Sequence, residues 1–145
     1  MKTELLTPES PVTMITASLH DLVDTLANSL QPAASRNKSL IINDVPVNIT
    51  AERNEHLLSS VLAGLMNEVI THTESSCIRI TAKTFRNVVL LHVKNDGSLN
   101  YDSISHNLSA MQTQAEKLDG FIGFTSYRNK ITTIAFSFTN IQEAA

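Results

Sequence analysis

The chain has 145 residues, a formal charge of −3, 42% apolar and 17% charged residues, which suits one domain with a buried core and argues against disorder. That charge gives no global basic field for nucleic acid or an anionic membrane. Four unclustered glycines exclude a Walker loop and a dinucleotide fingerprint, and a single cysteine, Cys77, excludes a disulfide framework or a cysteine-rich zinc site. With no signal-peptide stretch and no apolar run long enough to span a membrane, a cytoplasmic domain is expected.

Residues 1–11, with Pro8 and Pro11, read as a leader or linker, 12–141 as the domain and 142–145 as a tail. From Val12 to about Leu30, Ile15, Leu19, Leu22, Val23, Leu26 and Leu30 recur at helical spacing, and Pro32 is placed to stop that helix. Leu40, Ile41 and Ile42 suggest a short strand; beyond Pro46, Val47 and Ile49 could add a second edge piece. The next helix carries two ridges at four-residue spacing, Leu57-Val61-Leu65-Val69 and Leu58-Leu62-Met66-Ile70, which make a wide buried face. Beside them runs a stripe of Ser60, Gly64, Glu68 and Thr71. Glycine inside a helix costs about 1 kcal/mol relative to alanine, so Gly64 points to a close approach by something else.

Strands follow at Cys77–Lys83 and Val88–Lys94, then the turn Asn95-Asp96-Gly97-Ser98. Ile104, Leu108, Met111, Ala115 and Leu118 predict a third helix, with Gly120 as its C-terminal cap. Phe121–Tyr127 and Ile131–Thr139 read as a hairpin in which Ile134, Phe136 and Phe138 share one face. Helices spread among hairpin-joined strands imply an α/β (α+β) two-layer sandwich: a mixed, mostly antiparallel sheet with about three helices on one face.

Four stretches then carry chemistry. Gly64-Leu65-Met66-Asn67-Glu68-Val69-Ile70-Thr71-His72-Thr73 resembles the asparagine box of sensor histidine-kinase ATP-binding domains, a superfamily shared with DNA gyrase and mismatch-repair ATPases. Asn95-Asp96-Gly97-Ser98-Leu99 resembles its first glycine box, and Ser105-His106-Asn107-Leu108 stands where a second opens the third helix. The last glycine motif appears as Asn129-Lys130-Ile131-Thr132. The resemblance covers roughly residues 13–140 and rests on the order and spacing of several motifs.

The resemblance implies a nucleotide groove lined by Gly64, Glu68, Thr71, Asn95, Gly97, Leu99, Asn107 and Thr132, with ATP and magnesium as ligands and Glu68 at the metal position. The sequence departs from the pattern where it matters. Glu68 replaces the metal-binding asparagine, Thr71 a lysine, and Asn95 the aspartate that pairs with the adenine amino group. Leu99, Ser105 and Asn107 replace glycines, while the packing residues match. The expectation is a signal-transduction module of this fold, weak or inactive toward nucleotide, acting through a protein partner of a two-component or related pathway. The alternatives are an active ATP-dependent histidine or anti-sigma-type serine kinase working in trans, and a phosphotransfer protein using His20, which precedes Asp21.

Overall fold

The computed structural model describes residues 14–96, 101–127 and 131–140. In chain order the elements are β1 (Met14–Ser18), α1 (Leu19–Arg36), β2 (Leu40–Asn43), β3 (Thr50–Asn54), α2 (Glu55–Thr71), β4 (Cys77–Phe85), β5 (Val88–Asn95), α3 (Tyr101–Glu116), β6 (Phe121–Tyr127) and β7 (Ile131–Thr139). A five-stranded sheet runs β2-β4-β5-β7-β6, with β2 parallel to β4 and the other pairs antiparallel; β1 and β3 form a separate two-stranded sheet. This is the expected two-layer sandwich. The leader, the tail, Gly97, Leu99 and the 128–130 turn lie outside the described residues.

The helix expected from Val12 begins only at Leu19. Residues 14–18 pair antiparallel with 50–54 instead. The boundary is set by Ser18, whose hydroxyl accepts the Asp21 backbone N–H at 3.3 Å. Nor does Pro32 stop the helix, which continues to Arg36. Pro32 is exposed, so water can reach the carbonyl that its missing N–H leaves without a helical partner. Gln31 also ties this end of the helix to the sheet: its Oε1 accepts from the Ile41 N–H at 3.2 Å and its Nε2 donates to the Ser39 carbonyl at 3.2 Å.

α2 behaves as its double ridge predicts. Leu58, Val61, Leu62, Leu65, Met66, Val69 and Ile70 are all buried. They join the inward faces of the strands, where Ile78 and Ile80, then Val89, Leu91 and Val93, then Ile134, Phe136 and Phe138 alternate into the core. α3 ends differently from the expectation. The Gly120 N–H donates to Ala115 O at 2.9 Å and the Asp119 N–H to Glu116 O at 3.0 Å, while Asp119, not Gly120, takes the left-handed conformation at φ 53°. Gly120 is required for another reason: a Cβ there would lie 2.2 Å from the Ser137 carbonyl oxygen of β7. No helix among the described residues is long and apolar enough to cross a membrane.

Candidate functional site

The polar stripe of α2 meets α3 along its length. Three contacts repeat at one-turn intervals on both helices. The Ser60 hydroxyl donates to Gln114 Oε1 at 3.3 Å. Met111 packs over Gly64 so closely that a Cβ would lie 2.5 Å from its sulfur. Asn107 Nδ2 donates to Glu68 Oε2 at 3.0 Å. The chain directions are opposed, residue 60 meeting 114 and residue 68 meeting 107. The close approach that Gly64 foretold is therefore made by the protein's own third helix.

Glu68 is 9% exposed. One carboxylate oxygen is held by Asn107; the other, Oε1, is buried without a hydrogen-bond donor among the described residues, and His72 Nε2 lies 3.5 Å from it. Thr71, at the end of α2, and Asn67, one residue before Glu68, are both exposed.

A second polar group lies under the end of α2. Asn95 continues the inward alternation of β5 beyond Val89, Leu91 and Val93, so its side chain faces the helical layer and is fully buried. Its Nδ2 donates to Thr73 Oγ1 at 3.0 Å, and that hydroxyl lies 2.7 Å from Ser76 Oγ. The Ser76 backbone N–H donates in turn to Ser39 Oγ at 3.2 Å. Thr132, also fully buried, stands opposite Asn95 in the β5–β7 ladder. Asp96 holds the start of the following loop against β4, its carboxylate accepting the Cys77 N–H at 2.8 Å.

The structure thus brings the sequence-predicted residues together in two groups. Gly64, Glu68 and Asn107 meet across α2 and α3; Asn95 and Thr132 are neighbours in the sheet below. Thr73, Ser76, Met111 and Gln114 complete these groups and were not among the candidate residues. Met111 and Gln114 share the α3 face of Asn107 at helical spacing, a signal present in the sequence once Asn107 is a candidate.

No family model matches the sequence, and no curated protein matches it. Its architecture does have counterparts. The histidine kinase AdeS of Acinetobacter baumannii superposes with a TM-score of 0.78 at 10% identity, covering 92% of this chain and 70% of AdeS. Full-length ShkA, solved in complex with AMPPNP, gives 0.77 at 15% identity over 96% of this chain and 34% of that one. The nucleotide-free catalytic domain of histidine kinase ThkA gives 0.76 at 15% identity over 88% of this chain and 95% of that one. At these identities the likeness is one of fold: the chain has the fold of the histidine-kinase catalytic domains on which it superposes.

Proposed function

We propose that the chain is a cytoplasmic signalling module that uses this fold to engage a protein partner, and that its nucleotide groove is too degenerate to hold ATP tightly. The observation that carries this reading is the α2–α3 ladder, in which Ser60, Gly64 and Glu68 are occupied by Gln114, Met111 and Asn107. Asn95 supports it, because the amide that would read adenine is bonded to Thr73. Thr71 offers no positive charge to a phosphate. The residues present therefore do not fit magnesium-ATP without α3 moving away from α2. A protein partner is supported by the fold neighbour ThkA in its complex with response regulator TrrA, with a TM-score of 0.68 at 14% identity over 88% of this chain and 42% of that one. Titration calorimetry with magnesium and a non-hydrolysable ATP analogue is the test. The expected dissociation constant is roughly hundreds of micromolar or weaker; saturation near ~10 μM, on the order of −7 kcal/mol, would defeat the reading.

One observation favours an active kinase working in trans: the buried Glu68 Oε1 lacks a hydrogen-bond donor among the described residues, and carboxylate oxygens are what hard cations select. Under that reading the same titration saturates with magnesium and fails without it. Phosphotransfer through His20 fits less well. α1 packs on β2 and α2 within the helical layer of the sandwich rather than in a separate helix bundle, and the His20 carbonyl is tied to Asn43 Nδ2 at 3.0 Å.

A further inference from the structure

One layer of the molecule is helical; the other is the outer face of the five-stranded sheet. Strand alternation puts Arg79, Thr81, Lys83 and Phe85 of β4 on that face, with Val88, Leu90, His92 and Lys94 of β5 beside them. All of these are exposed or half-buried. The next column, on β7, is Thr133, Ala135 and Ser137, which are short and make a flat floor.

The charged side chains that β4 and β5 place on this face are all basic. Arg79 and Lys94 stand directly opposite each other in the β4–β5 register, a like-charge pairing that costs stability. Lys83 lies diagonally from His92, and Arg86, in the turn, sits over the Phe85 ring at 5.4 Å. Among the described residues one acid answers these cations, Asp44, which pairs with Arg79. Lys83 and Lys94 have no ion-pair partner among the described residues. This basic strip belongs to a chain whose overall charge is −3, so the acids are concentrated elsewhere.

Both edges of the sheet are partly capped by side chains. Gln31 bonds to both Ser39 O and Ile41 N on the β2 edge, and Gln112 Oε1 accepts from the Ile122 N–H of β6 at 2.9 Å. Among the described residues, the outer face of the sheet is the broad surface with exposed basic side chains.

We propose that the outer face of the sheet, through Lys83, Lys94 and the flat Thr133-Ala135-Ser137 column, docks an acidic helix of a protein partner. This rests on the reading that the chain acts through proteins, and it names the surface and the chemistry that would do so. A second copy of the chain is disfavoured, because a two-fold contact through this face would set lysines against lysines. A polynucleotide is disfavoured by the net negative charge. Lys83 pairs with Leu90, four residues from Lys94, so the two lysine backbone positions are offset by about 13 Å along the strands. Carboxylates about two turns apart on one helix face, roughly 12 Å, match that spacing.

The test titrates ¹⁵N-labelled protein with an alanine-based helical peptide carrying glutamates eight residues apart, and with the same peptide bearing glutamines. The glutamate peptide should bind saturably at low salt, shift the amides of β4, β5 and β7, and weaken as salt shortens the screening length. Lys83→Glu/Lys94→Glu should weaken it at least about tenfold, with Lys83→Gln/Lys94→Gln intermediate. Both are exposed substitutions, and an unchanged amide spectrum of the helical layer verifies the fold. Equal binding of the two peptides, shifts confined to α1–α3, no binding at low salt, or tighter binding of a single-stranded oligonucleotide each overturns the proposal. The site lies on the layer opposite the groove, so tight binding of the ATP analogue would refute the degenerate groove while leaving this result to be read independently.

Discussion

Two glycines that look alike in the sequence meet different neighbours. A Cβ at Gly64 would touch Met111 Sδ, the far part of a flexible thioether that can swing aside. Gly64→Ala also recovers up to about 1 kcal/mol of helix propensity. Urea unfolding should therefore find this variant within about 1 kcal/mol of the parent. At Gly120 the neighbour is the Ser137 carbonyl, fixed in the β6–β7 ladder. Gly120→Ala must displace backbone and should cost about 1–3 kcal/mol; equal stability of the two variants would contradict the geometry. His92 makes a different prediction. Burial, then Lys94 and Lys83, hold its imidazole below the usual value. The unfolded chain then takes up a proton at higher pH than the native protein. Stability from this residue is intact above about pH 6.5, the unfolded value, and is lost as pH falls through the lower native one. His92→Gln should flatten the fall in urea midpoint between about pH 7 and pH 5. An unchanged slope would assign that fall to other groups.

At the level of elements, packing decides more than propensity does. Leu62, 1% exposed in the middle of α2, should cost about 2–5 kcal/mol on truncation to alanine, measured by urea unfolding. A change below about 0.5 kcal/mol would mean that α2 buries a different face. This helix was legible in the sequence because its ridges are continuous over four turns and need no distant partner to be recognised. α1 was legible in part. Ile15, Leu19 and Leu22 fit a helical period, yet residues 14–18 form β1, because their partner lies more than thirty residues away at 50–54, and a local pattern cannot carry that pairing. The Ser18 cap was the available signal. The candidate site shows the same division. Gly64, Glu68 and Asn95 were readable from motif positions. That Glu68 bonds to Asn107, or that Asn95 is taken by Thr73, depends on how two helices and a strand meet, and spacing along the chain holds no such information. Asp119 displaced Gly120 from the left-handed position because aspartate tolerates that conformation, while the approach of β7 at Gly120 excludes any side chain.

For the whole molecule, the work divides between the two layers under the proposed reading: the helical layer closes over the proposed groove through the α2–α3 contacts, and the sheet presents a basic face. The closure has a thermodynamic consequence. A ligand that binds only the native state raises its stability by RT ln(1 + [L]/Kd). With magnesium-ATP at about 5 mM and a dissociation constant near ~1 mM, the gain is about 1 kcal/mol, or roughly 2–4 °C in Tm for a chain of this size. A site of ~10 μM would gain about 3.7 kcal/mol, and Tm would rise by roughly 8–14 °C. The small shift is the result the proposed reading expects, since under it nucleotide must first displace the contacts made by Met111, Asn107 and Thr73. Met111→Ala provides the internal control. It removes the side chain lying over Gly64, so if the ladder is what excludes nucleotide, this variant should be less stable without ligand yet gain more from magnesium-ATP than the parent. A thermal melt in which parent and variant gain equally would locate the exclusion elsewhere, at Asn95 or at the replaced glycine positions Leu99, Ser105 and Asn107.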